Sequence, residues 1–211
     1  MNELLKGVLH FKANDFKKLS RHFIGLGRKQ NPHTLFIGCA DSRIVPNLIT
    51  NTLPGELFTV RNVGNLVPPY RKTAEYVATT SAIEYACTIL KVSNIVVCGH
   101  SNCGACTALW DKDSLAEAPL TQKWLELAEP VKARVLRHFR KGAVDFARRE
   151  WLTEQYNVVE QVNHLLTYPF IQNALDKGQV TVQGWYYVIE TGEVYVYNSQ
   201  NETFDKVEPL A

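Results

Sequence analysis

Two short apolar runs, each ending in a cysteine, constrain the fold of this chain more than any other feature. They are Thr34-Leu35-Phe36-Ile37-Gly38-Cys39 and Asn94-Ile95-Val96-Val97-Cys98, rich in β-formers and of strand length. Between them, residues 73–91 place Ala74, Val77, Ala78, Ser81, Ala82, Tyr85, Ala86 and Ile89 on one helical face. A strand, a long helix and a second apolar strand make a βαβ unit, for which a parallel sheet is the expected outcome.

The remaining pattern extends that unit. Residues 57–61 follow the Pro54-Gly55 turn and read as another strand. Residues 121–166 read as mostly helical, with stripes at Trp124, Leu127, Val131 and Val135, then Val158, Val159, Val162, Leu165 and Leu166. Gly178 closes a further short helix, and residues 180–189 and 194–197 read as strands joined in a hairpin by Glu190-Thr191-Gly192-Glu193. Ahead of all this, residues 1–27 form a helical arm. Leu4, Leu5, Val8 and Leu9 mark one short amphipathic helix and Phe16, Leu19, Phe23 and Ile24 a second, broken or capped at Asn14 or Asp15. The expected fold is one α/β domain over residues 1–211: a mainly parallel central sheet flanked by helices, with a C-terminal hairpin.

A hydrophobic share of 45% against 21% charged suits a folded globular chain and excludes a disordered one. The 23 basic and 21 acidic residues leave a net charge of +2, which argues against nucleic acid or a membrane surface as partner. The N-terminal stretch mixes charges through its apolar positions, and no apolar run approaches the roughly 18 to 20 residues needed to span a bilayer. The expectation is a soluble, cytoplasmic protein. Its five cysteines are an odd number, and Cys98, Cys103 and Cys106 fall close together, which points to metal or redox chemistry rather than structural disulfides.

The chemistry gathers in two segments at strand ends: Cys39-Ala40-Asp41-Ser42-Arg43, and Cys98-Gly99-His100-Ser101-Asn102-Cys103-Gly104-Ala105-Cys106. In open α/β sheets, ligands bind beyond the carboxyl ends of strands, so both can converge on one site. Thiolate and imidazole suit zinc, and catalytic zinc takes three protein ligands with a fourth position free for water. His100 and Cys103 can face a single ion, Cys39 can join from the neighbouring strand, and a helix start at Cys103 favours its thiolate. Singly, Cys39 and His100 also read as buried structural residues, and Asp41 with Arg43 as a local salt bridge. Cys87 and Cys98 read as packing residues. The joint occurrence of CxDSR and GHxxC is what argues for a site.

Those motifs, with Pro54-Gly55-Glu56-Leu57-Phe58 and Arg61-Asn62-Val63-Gly64-Asn65 between them and the stretch 163–170 after, resemble the bacterial β-class carbonic anhydrases in order and spacing. The resemblance runs from about residue 30 to residue 197. It implies reversible hydration of CO₂ to bicarbonate and a proton by zinc-bound hydroxide, with one zinc per chain on Cys39, His100 and Cys103. It makes Asp41 and Arg43 the catalytic dyad, and lines the substrate pocket with Gln30, Phe58, Val63, Tyr85 and the backbone N–H of Gly104. Part of that lining comes from a second subunit, which implies a homodimer or homotetramer. Some members close the site at lower pH by letting the dyad aspartate ligate zinc, while bicarbonate fills a pocket of tryptophan, arginine and tyrosine. The matching positions here are Phe36, Arg61 and Tyr187, without the indole N–H donor, and Gln30 fits the subgroup whose site stays open.

Three alternatives compete. Cys103-Gly104-Ala105-Cys106 is a CxxC at a helix start, the pattern of a thiol–disulfide oxidoreductase. Cys106 is also placed to be a fourth ligand of a purely structural zinc. Zinc-hydroxide chemistry equally serves hydrolysis of CS₂ or COS. The basic stretch from Arg134, with Arg148 and Arg149, reads as a solvated helical face.

Overall fold

The computed structural model, which describes residues 2–72, 77–139 and 145–208, is organised around a six-stranded sheet. The strands are β1 (Thr34–Cys39), β2 (Leu57–Asn62), β3 (Asn94–His100), β4 (Thr181–Tyr187), β5 (Val194–Asn198) and β6 (Thr203–Lys206). They lie in the order β2-β1-β3-β4-β5-β6. The first four run parallel, and β5 and β6 turn back antiparallel at one edge. The chain therefore forms the single α/β domain expected from its pattern, with three differences in the strands, the first being that β4 stops at Tyr187 and not at 189. β3 continues two residues past Cys98, so His100 is its last residue. β6 was not expected, because an edge strand with both faces mostly in water carries one apolar residue, Phe204, and no alternation.

The helices are α1 (Glu3–Ala13), α2 (Asp15–Lys18), α3 (Ser20–Leu26), α4 (Pro46–Ile49), α5 (Ala78–Glu84), α6 (Gly104–Ala108), α7 (Pro119–Leu125), α8 (Glu129–His138), α9 (Phe146–Leu165) and α10 (Pro169–Asp176). The N-terminal arm breaks at Asn14, as expected, and again at Leu19, giving three short helices instead of two. The helix expected over residues 73–91 starts at Ala78, with Val77 outside it at non-helical dihedrals, and widens into a π-helical turn over Tyr85–Ile89. Residues 73–76, which include Ala74 of its apolar face, lie outside the described residues. No helix among the described residues is long and apolar enough to cross a membrane.

Strand alternation divides the core. Leu35 and Ile37 of β1 and Ile95 and Val97 of β3 pack with Ile83, Leu165, Tyr168 and Ile171 on one face. Phe36, Val96 and Cys98 point the other way, against Leu57, Trp185 and Tyr187. Each such side chain, fully buried, contributes about 1.5 to 3 kcal/mol. Cys87 packs against the first cluster and Cys98 within the second, which accounts for both thiols as packing residues.

Helix α9 lies close against β3 and β4 because both strands present a glycine to it. A Cβ on Gly99 would stand 2.6 Å from Val158 Cγ2, and one on Gly184 would stand 2.8 Å from Val158 Cγ1 and 3.3 Å from Val162 Cγ2. The obstructing atoms belong to stiff β-branched side chains on a buried helix face, which cannot swing aside. Gly184→Ala is accordingly expected to lower the free energy of urea unfolding by about 1 to 3 kcal/mol. An unchanged unfolding midpoint would show that the helix does not seat on the sheet as described.

Candidate active site

Parallel pairing of β1 with β3, in the register Gly38 opposite Cys98, delivers the ends of both strands to the same edge of the sheet. Cys39 is the last residue of β1 and His100 the last of β3, and Cys103 is the residue just before α6. One ligand atom from each of Cys39, His100 and Cys103 lies within 4.8 Å of the others, and all three residues are buried. Cys106 packs against the two thiols but stands outside that group.

Two observations fit this trio to a metal ion. His100 Nδ1 is 2.9 Å from the Ser101 carbonyl, an acceptor only, so Nδ1 carries the proton and Nε2 a free lone pair. Nε2 is buried and has no hydrogen-bond partner among the described residues, which costs about 1 to 3 kcal/mol unless an ion takes up the lone pair. The thiols tell the same story. The adjacent Cys103 thiol and burial push Cys39 up to about 12, and the Cys106 thiol, followed by burial, holds Cys103 well above its ordinary value. The helix start was expected to favour the Cys103 thiolate, but α6 has five residues and its effect is outweighed. Both thiols ionise at neutral pH only against a cation, and binding one expels their protons. The same features remove the redox alternative, since a reactive CxxC needs an accessible thiol of lowered pKa and Cys103 and Cys106 are 1% and 4% exposed.

Asp41 and Arg43 follow directly after β1. Arg43 Nε donates to Asp41 Oδ1 at 2.9 Å and Nη2 to Oδ2 at 2.7 Å, a bidentate pair reinforced by the Arg43 backbone N–H on Oδ1 at 2.9 Å. The guanidinium holds the Asp41 carboxyl well below the usual carboxylate range, so it stays an acceptor. Oδ2 comes within 3.9 Å of His100 Nε2, which places the carboxylate beside the ligand trio. Arg61 fixes this exit from β1 by donating to the Cys39 carbonyl at 3.1 Å and the Asp41 carbonyl at 2.6 Å.

Sequence reasoning missed the support beneath the site, a polar row on α9. Glu154 accepts the Cys103 backbone N–H at 3.0 Å and the Tyr186 hydroxyl at 2.7 Å. Asn157 donates to the Gly64 carbonyl at 2.9 Å, and Gln161 accepts the Val67 N–H at 2.8 Å. All three residues are buried. The signal was available: polar residues at 154, 157 and 161 recur at helical spacing beside an apolar stripe. On a buried helix such a row must be satisfied by something other than water.

The expected pocket residues are brought together in part. The rings of Phe58 and Tyr85 lie 5.9 Å apart, and Gly104 opens α6 with clear space where a side chain would stand. Val63 and Tyr85 are 42% and 43% exposed, and Gln30 sits exposed between α3 and β1. Phe36, Arg61 and Tyr187 keep their own surroundings. Phe36 is fully buried edge-on to Trp185, whose N–H is committed to Gln183, and Arg61 spends donors on the two carbonyls of the β1 exit.

Burial raises Glu154 from about 4.5 to about 7. Between those values the folded chain keeps a proton that the unfolded chain has released, so the group's contribution to stability falls as pH rises through that window. Zinc-free wild type should therefore lose stability relative to Glu154→Gln between about pH 4.5 and pH 7, by up to about 3 kcal/mol in urea unfolding. Parallel pH profiles for the two proteins would contradict a neutral Glu154.

Residues 34–194 match the family model for carbonic anhydrase. A carbonic anhydrase of Helicobacter pylori is 43% identical over 204 residues, covering 95% of this chain and 92% of its own. The solved β-carbonic anhydrase CcaA superposes with a TM-score of 0.91 at 36% identity, over 98% of this chain and 92% of that one. A tetrameric β-carbonic anhydrase of Sordaria macrospora superposes at 0.81 with 28% identity, over 92% and 94%. With the family model spanning most of its length and these relatives covering it almost end to end, the chain belongs to the β-carbonic anhydrase family.

Proposed function

We propose that this protein hydrates CO₂ reversibly to bicarbonate and a proton, with one zinc ion held by Cys39, His100 and Cys103. The observation that carries the reading is the buried His100 Nε2, without a hydrogen-bond partner among the described residues and within reach of two buried thiols. When bound, zinc supplies the Lewis acidity that makes a nucleophile of water near neutral pH.

The chain's own groups do the rest. Two thiolates and a neutral imidazole cancel the charge of a divalent ion, so a nearby carboxylate competes for the remaining position. Arg43 engages both Asp41 oxygens and restrains that competition, which keeps the site open. Asp41, held ionised, accepts a hydrogen bond from the attacking water and turns its lone pair toward the CO₂ carbon. Phe58, Val63 and Tyr85 line an apolar slot, and the Gln30 amide and Gly104 N–H donate to oxygens of the product anion. With Phe36, Arg61 and Tyr187 arranged as they are, no cooperative inhibition by bicarbonate is expected.

The reading includes a homodimer or homotetramer. It is supported by the exposure of Val63 and Tyr85 and by α1, which buries no residue and leaves Leu4, Leu5, Val8 and Leu9 between 56% and 78% exposed. It is supported too by the tetrameric Sordaria relative.

A stopped-flow CO₂ hydration assay, paired with zinc analysis of the purified protein, tests this. Wild type should carry one zinc per chain and lose activity to a chelator. Cys39→Ala, His100→Ala and Cys103→Ala should each lose zinc and activity together, whereas Cys106→Ser should keep both. Arg43→Ala should keep zinc and lose on the order of a hundredfold in kcat/KM. Full activity in any of the three ligand variants, or zinc loss in Cys106→Ser, would remove that residue from its assigned role.

A further inference from the structure

The turn between β4 and β5 reaches back to the segment that joins His100 to Cys103. Ser101 Oγ donates to Glu190 Oε2 at 2.9 Å, and Asn102 Nδ2 donates to Glu190 Oε1. Ser101 is also tied to the same turn by its backbone N–H on the Tyr187 carbonyl at 2.9 Å and by accepting the Ile189 N–H at 2.9 Å. One carboxylate thus grips two consecutive residues of the loop.

That grip falls where the backbone needs holding. Asn102 has φ +54°, in the left-handed region that side-chain-bearing residues occupy at a cost, asparagine less than most. In this conformation its carbonyl accepts Arg43 Nη2 at 3.0 Å, and the same nitrogen donates to Asp41 Oδ2 at 2.7 Å. The two N–H bonds of Nη2 are therefore divided between the loop and the carboxylate. The Arg43 side chain is 46% exposed, so these contacts, rather than packing, set the plane of its guanidinium.

We infer that Glu190, acting through Asn102, is a positioning residue that fixes Arg43 and thereby aims Asp41. This rests on the role proposed above for the Asp41–Arg43 pair. Glu190 touches neither substrate nor metal ligand side chain. Its carboxylate holds Asn102 left-handed, the Asn102 carbonyl anchors Arg43, and Arg43 holds Asp41 in place. Without Glu190, Asn102 is free to leave the left-handed region, its carbonyl turns from Nη2, and the Asp41–Arg43 pair swivels as a unit.

Glu190→Ala tests the inference, with Glu190→Gln as the geometric control. The glutamine oxygen can accept from Asn102 Nδ2 while its amide donates to Ser101 Oγ, so the clamp survives without the charge. Glu190→Ala should keep one zinc per chain and its melting temperature, and lose about tenfold in kcat/KM for CO₂ hydration. Glu190→Gln should return to within about twofold of wild type. A crystal structure of Glu190→Ala should show the Arg43 Nη2 contact to the Asn102 carbonyl broken. Wild-type kcat/KM in Glu190→Ala, a glutamine variant as impaired as the alanine one, or an intact Arg43–Asn102 contact would each overturn the inference. Absence of CO₂ hydration by wild type would instead defeat the proposed function, and the crystal structure would still decide whether Glu190 holds Arg43.

Discussion

Cys39 and His100 are distant in the chain and meet because β1 and β3 are neighbours that run in the same direction. Parallel pairing puts both carboxyl ends at one edge, and the register decides which side chains face each other there. A slip of one residue would turn every alternate side chain to the opposite face. Leu35, Ile37, Ile95 and Val97 would then leave their cluster, so the core that stabilises the sheet also holds the register that assembles the trio. Stability and ligand geometry are consequences of one constraint. The glycines that admit α9, and the polar row on α9 that holds the loops after β2 and β3, act on the same strands.

The site built on that edge is electrostatically unfinished without a cation. Burial and mutual proximity hold the thiols neutral, and the imidazole Nε2 has no hydrogen-bond partner among the described residues. The carboxylate nearby is in the opposite condition: Asp41 is ionised and doubly engaged by Arg43, which also donates to the Asn102 carbonyl. On the proposed function, a soft, buried trio awaiting charge beside a carboxylate restrained by a planar cation would separate two jobs, holding a metal and orienting a nucleophile. Arginine suits the second job because its fork engages both carboxylate oxygens at once.

What could be read from the chain alone follows from which signals are local. The strands of the βαβ unit were legible because a buried parallel strand is a continuous apolar run, and the ligand candidates were legible because thiol and imidazole at strand ends are scarce chemistry. β6 was not, since an edge strand in water has no pattern to show. Val77 was counted into α5 because apolar periodicity does not register where the backbone leaves helical dihedrals, as it does at Val77. Glu190 was invisible as a site residue for a different reason. Its role lies in a serine hydroxyl and an asparagine amide brought to it by tertiary contact, and nothing in its neighbours along the chain announces that. Glu154 did leave a signal, the polar spacing it shares with Asn157 and Gln161 on α9. Arg61 and Gly64 belonged to a quoted motif, yet their work became clear only in three dimensions. Arg61 pins the β1 exit, and at Gly64 (φ +78°) a Cβ would press on Ala105 at 3.1 Å.

The central claim is that three residues hold the metal while Arg43 keeps Asp41 off it. A crystal structure of the zinc-loaded protein near pH 8 addresses that claim directly. The account predicts zinc on Cys39, His100 and Cys103, with both Asp41 oxygens still paired to Arg43 and the fourth position left to solvent. An Asp41 oxygen about 2.0 Å from zinc, with its pair to Arg43 broken, would contradict it.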